Sequence, residues 1–182
     1  GEAQAWLAEG RLPVDADPQL WFEREITNIR REQVTSVVTA RAEGTLEFGR
    51  DGDKLVVTSP ADHPKLDEYR VEDVFRALDG LTLTEVKPAA EQPGEKIGAA
   101  VFTLTDGMTV TVTVFRLDVN IWAQFQAAGE GDAKAKADAL NARIAGWAYQ
   151  VGSWKEKAFI PLLDELKANE PAEPAKEAPA KE

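Results

Sequence analysis

The chain has 182 residues, 43% of them hydrophobic, and a net charge of −11 from 21 basic and 32 acidic side chains. That length suits one domain burying roughly 70% of the surface its unfolded form exposes, and the acidic balance repels nucleic-acid phosphate and anionic lipid. With no cysteine, disulfides, thiolate catalysis and Cys-type zinc sites are excluded together.

The one dense basic grouping, Arg24, Arg30 and Arg31, is neutralised by Glu23, Glu25 and Glu32, so no nucleic-acid partner is expected. No run approaches the roughly eighteen apolar residues of a membrane span, so no part of the chain is expected to insert directly into a membrane. The start at Gly1 without a basic-then-apolar leader reads as a fragment or a processed form.

Residues 1–31 carry two aromatic beats, Trp6-Leu7 with Leu12 and Trp21-Phe22 with Ile26 and Ile29. They predict an irregular N-terminal segment pinned to the core, with Phe22, Ile26 and Ile29 at short-helix spacing. Residues 32–168 form the α+β domain. Val34, Val37 and Val38 mark its first strand, ending near Gly44. In TLEFGRDGDKLVVTSP a two-residue, primed-type turn at Asp51-Gly52 pairs Phe48 with Leu55 and Leu46 with Val57, which keeps four apolar side chains on one face.

A helix follows over about 68–79. Val71, Val74, Phe75 and Leu78 form its stripe, Asp67 its N-cap and Gly80 its stop. LTLTEV reads as a strand and 87–94 as a polar loop with two prolines. From Lys96 to Ala127 three strand-like segments form a meander, with alternation in MTVTVTV and VNIWAQF. Here a three-residue loop at Thr105-Asp106-Gly107, Gly107 left-handed, aligns Phe102 with Val110 and Leu104 with Met108.

Asp132 is read as the cap of a helix whose buried stripe is Ala137, Leu140, Ile144, Trp147 and Val151. Ser153 with Glu156 suggests a capping box for a further helix, broken at Pro161. Residues 169–182, NEPAEPAKEAPAKE, have no large apolar residue and are expected to be a disordered tail. The predicted fold class is α+β: a mostly antiparallel sheet with hairpins and a three-stranded meander, and helices packed on one face.

No catalytic constellation emerges. His63, the single histidine, sits in the loop SPADHPKLD as a surface turn residue; with no cysteine only a carboxylate-rich metal site would remain, and no spacing supports one. The Asp-Gly pairs at 51–52 and 106–107 are hairpin turns, since DGDKLVVTSPAD runs into apolar strand where a calcium loop needs alternating oxygen ligands. A serine nucleophile needs a positioned base, and a single histidine argues against a Ser-His arrangement; no glycine-rich phosphate loop is present. Catalytic, cofactor and metal residues are therefore expected to be none. Trp122 shares the polar face of its strand with Asn120, Gln124 and Gln126, opposite Val119, Ile121, Ala123 and Phe125. Unless a helix covers it, Trp122, with Trp21, is the candidate partner or ligand contact.

WFEREI, FTLTDGMTVTV and LNARIAGWAY, with the segments joining them, resemble the C-terminal half of proteins in the domain of unknown function 4340 family, over Gly1 to about Lys167. The resemblance implies a bacterial protein, often with an N-terminal membrane anchor and the bulk outside the cytoplasm. Some relatives of that family accompany auxiliary components of ABC-type transporters. It offers no catalytic residue to carry over. The expectation is a non-catalytic, periplasmic or extracytoplasmic domain, tethered to the inner membrane in full-length form. Its partners would be proteins, transporter components among them. The alternative is a small-ligand or glycan-binding module with a Trp-lined groove on the sheet.

Overall fold

The computed structural model describes residues 24–168. Expectations placed on Trp6, Leu7, Leu12, Trp21, Phe22 and the segment 169–182 lie outside those residues. The described chain is α+β. Its main sheet has eight strands: β2 (Val34–Arg41), β3 (Gly44–Asp51), β4 (Lys54–Ser59), β6 (Glu85–Pro88), β7 (Glu95–Leu104), β8 (Thr109–Leu117), β9 (Asn120–Ala128) and β10 (Trp147–Val151). Their order is β4-β3-β2-β7-β8-β9-β10-β6, and every pairing is antiparallel. A separate two-stranded ribbon joins β1 (Glu25–Thr27) to β5 (Leu81–Thr82).

Alternation sends one set of side chains to a common core. Val37, Phe48, Phe102, Val110, Val112, Phe125 and their neighbours meet the buried faces of α1 (Glu68–Phe75), α2 (Asp132–Ile144) and α3 (Lys155–Phe159). All three helices cover the same face of the sheet, because their buried residues join that one cluster. Val34 and Val37 both point inward despite odd spacing, since a register shift between Val34 and Ser36 inserts an extra residue. Ile26 and Ile29 are also buried in this core, although residues 25–27 run as a strand where short-helix spacing was expected.

The second hairpin matches its expected register. Phe102 pairs Val110, the Leu104 N–H donates to the Met108 carbonyl, and Gly107 has φ +83°. Asp106 accepts from the Met108 N–H and from Lys136 Nζ at 2.7 Å; the Lys136 bond, with the backbone bond, holds its carboxyl below the usual range. Asp67 caps α1 by accepting from the Tyr69 N–H, and Gly80 takes φ +51° beyond the end of the helix.

Four local expectations are corrected. The first hairpin turns at Gly52-Asp53, so Phe48 faces Val57 and Leu55 faces Arg50; the two-residue slip keeps the apolar face intact. α2 stops at Ile144, and Trp147–Val151 is strand β10. Gly146, at φ +83°, redirects the chain, and the alternating Trp-Ala-Tyr-Gln-Val then pairs with β9 and β6. Gly131 rather than Asp132 occupies the α2 N-cap, without a side-chain bond. Ser153 and Glu156 form no side-chain capping box on α3, and Glu156 instead bonds Arg41 and Arg116. The break at Pro161 is present: α3 ends at Phe159 and a 3-10 turn resumes at Leu163–Leu166.

The connection from β6 to β7 has a special path. β6 lies at the outer edge beside β10, whereas β7 lies between β2 and β8, so residues 89–94 cross β10, β9 and β8. The Ala89 N–H donates to Gly146 and its carbonyl accepts from Gln124 Nε2, while Gly94 lies against the Arg116 backbone. Those contacts put the crossing on the face opposite the helices. Gly94 has φ +118°, and a Cβ there would stand 2.3 Å from the Arg116 carbonyl oxygen. Gly94→Ala should therefore destabilise the protein by about 2–4 kcal/mol, from backbone strain and displacement of the crossing together. A urea titration showing less than half of that range would contradict this placement.

Candidate functional site

The crossing decides the fate of Trp122. The side chain does point away from the helices, beside its cross-strand partner Phe115, but it is only 2% exposed. It forms a small cluster with Phe115 and Ala148, and Lys87 of β6 places Nζ 4.7 Å from the ring centroid. Trp122 is thus buried by a strand and a connection rather than by a helix, and as the chain stands it offers no open contact. Its Nε1–H finds no acceptor among the described residues. Trp21 lies outside those residues. Val119, expected to face inward beside Ile121, sits at the tip of the two-residue β8–β9 turn and is exposed.

A different surface is open. β4 is an edge strand whose outer side pairs with no other strand among the described residues. In an antiparallel hairpin, bonded and non-bonded pairs alternate. The turn closes on the Asp51–Lys54 pair. The next residues in step, Leu55 and Val57, therefore aim their backbone N–H and C=O groups away from β3. Both residues also line a cavity of about 330 Å³ between β4 and α1.

Each wall follows from local sequence. Leu55 and Val57 share the core side of β4 through period-2 alternation. Glu68, Val71 and Glu72 come from α1 at spacings of three and four, so they lie along one helical face. Leu66 is set by the segment before the Asp67 cap, where it forms an isolated bridge with Lys167. The floor is consequently aliphatic and the rim charged.

Arg31 borders the cavity and is committed within it, donating to Glu72 and to Glu32. These contacts, the Glu32 hydrogen bond foremost, hold its pKa above the ordinary value. Glu72 also meets Arg76 at 3.2 Å. His63 stands at the mouth with Nδ1 2.9 Å from the Pro64 carbonyl. A carbonyl only accepts, so Nδ1–H is the donor in that contact. Asp53, Glu68 and Glu72 are the carboxylates lining the same cavity as His63, and among the described residues no group of three or more His, Asp or Glu is placed to hold a metal ion.

The site thus offers backbone hydrogen bonding at alternate strand residues, an aliphatic trough, and a rim of both charge signs. Such groups recognise an extended polypeptide by adding it as a further strand. Sequence reasoning missed this edge because strand order is set by long-range pairing. The local signal was limited to Leu55 and Val57 alternating beside the stripe of α1. No helix among the described residues is long and apolar enough to cross a membrane. Comparison with family models, with curated proteins and with solved structures returned no match to this chain.

Proposed function

We propose that the protein is a non-catalytic interaction domain that takes an extended segment of a partner protein along the outer edge of β4. The observation carrying this reading is the unpaired outer backbone of Leu55 and Val57, whose side chains lie beside the aliphatic face of α1 at a cavity of about 330 Å³. The partner presents a strand with an aliphatic side chain for the trough formed with Leu66 and Val71. Its charged flanks meet Lys54 and Asp53 at one end and Glu68 at the other. The resemblance to the domain of unknown function 4340 family supplies the setting for this proposal: an extracytoplasmic domain tethered to the inner membrane, serving an envelope or transporter-associated assembly.

Leu55→Pro tests the reading. Proline removes the outward N–H while sparing the bonds to β3, a substitution that edge strands tolerate. Peptides selected from a random library against the wild-type protein should slow amide exchange at Leu55 and Val57. They should bind Leu55→Pro at least roughly tenfold more weakly, the loss of a backbone bond and its register. Selected peptides that protect other amides, or that bind the variant equally well, would overturn the proposal.

A further inference from the structure

On the face opposite the helices lies a second cavity, of about 370 Å³, beside the crossing connection. Its floor is a two-by-two array, because Thr111 pairs Gln126 and Thr113 pairs Gln124 across β8 and β9. Directly opposite residues stand about 5 Å apart at Cβ, so the four polar ends form one continuous patch. The side chains of Thr111, Thr113 and Gln126 make no hydrogen bond to another described residue. Gln124 uses its Nε2 on Ala89 and keeps its Oε1.

Asn141 closes the far wall. Its amide donates to the Ala127 carbonyl and accepts from the Ala127 N–H, both at 2.8 Å, so it replaces the strand neighbour that β10 no longer supplies there. Trp147, half exposed, borders the same opening.

The chemistry of the lining is selective. None of its residues is charged, in a chain whose residues are 29% charged. By contrast, the β4 cavity and the one around Arg41, Glu95 and Arg116 both hold charges of each sign. An anionic ligand finds no cation here, and a metal ion finds no carboxylate or imidazole. A wholly apolar ligand would strip water from hydroxyls and amides without replacing it. The ligand class that satisfies free hydroxyl and amide groups without a counter-charge is a neutral polyol.

We propose that this cavity is a binding site for a neutral carbohydrate, of mono- or disaccharide size, held by hydrogen bonds from Thr111, Thr113, Gln124 and Gln126. The assignment is independent of the β4 reading, since it uses the other face of the sheet. Cellobiose and N,N′-diacetylchitobiose are the probes, titrated while amide and side-chain NMR signals are followed. The expected result is saturable shifts at residues 111–113 and 124–126, including the Gln side-chain amides, for at least one of the two sugars, with a dissociation constant on the order of 1 mM.

Gln126→Leu and Thr113→Val, neither of which breaks an internal bond, should each weaken that binding roughly tenfold. Glucuronic acid should bind more weakly than the neutral sugar. The proposal is overturned if neither sugar gives saturable shifts, if the shifts map elsewhere, if both variants bind as wild type does, or if the acid binds equally well.

Discussion

Phe159→Ala should cost about 3–5 kcal/mol of folding stability, the range for emptying a fully buried aromatic site. The side chain is completely buried, and its ring sits edge-on to two others, 6.4 Å from Phe102 of β7 and 6.1 Å from Phe125 of β9. Phe125 in turn lies 5.9 Å from Tyr149 of β10. One side chain of α3 therefore ties a short helix to two strands directly and, through Phe125, to a third. Each aromatic pair adds about 0.5–1.5 kcal/mol beyond burial. The neighbouring strands cannot collapse into the space, since their spacing is fixed by ladder hydrogen bonds. The denaturation midpoint in urea should fall with little change in slope, and the melting temperature should drop by roughly 10–15 °C. A loss below about 1.5 kcal/mol would show that α3 is not anchored through this ring.

The second large effect depends on pH. Lys155 is 5% exposed, donates Nζ to the Ala77 carbonyl at 2.7 Å, and lies 4.5 Å from the Trp154 ring centroid. Burial pushes its ammonium down to about 8 from 10.5, against the upward pull of Asp79 and Asp73. The folded protein thus loses this proton before the unfolded chain does. Between pH 8 and 10.5 the unfolded state binds more protons, so stability from this group rises with pH across that window. Below pH 8 the buried charge costs on the order of 3 kcal/mol.

Lys155→Met keeps the stem volume and removes the titration, at the expense of the Ala77 bond. Measured from pH 7 to pH 10, wild type should gain on Lys155→Met by up to about 3 kcal/mol. Parallel profiles for the two proteins would refute the assignment.

Where a local pattern sufficed, the chain could be read directly. FTLTDGMTVTV has one register that keeps Phe102, Leu104, Met108 and Val110 together, and the structure adopts it. Asp67 caps and Pro161 interrupts for reasons contained within a few residues. Residues 147–151 were ambiguous because Ile144, Trp147 and Val151 fit a helical period while Trp-Ala-Tyr-Gln-Val fits a strand. Two distant features decide between them: the free side of β9 and the waiting edge of β6, both of which β10 satisfies. Trp122 was placed on the correct face, yet its cover comes from residues some thirty positions earlier, through a path that no periodicity encodes. The β4 trough and the Thr–Gln array share that origin. Their members were visible as alternating residues, but which edge stays open and which face is crossed are properties of strand order.

The path over Trp122 also constrains the sequence of assembly. β6 is made before β7, β8 and β9, but its one sheet neighbour among the described residues is β10, the last of the described strands. During synthesis residues 85–88 therefore emerge well before their sheet neighbour. Only when Trp147–Val151 arrives can β6 dock, drawing residues 89–94 across the finished strands like a tightened belt. Such long-range closure slows folding. A chain released after α2 would therefore hold the three meander strands but lack the strand that docks β6 over Trp122.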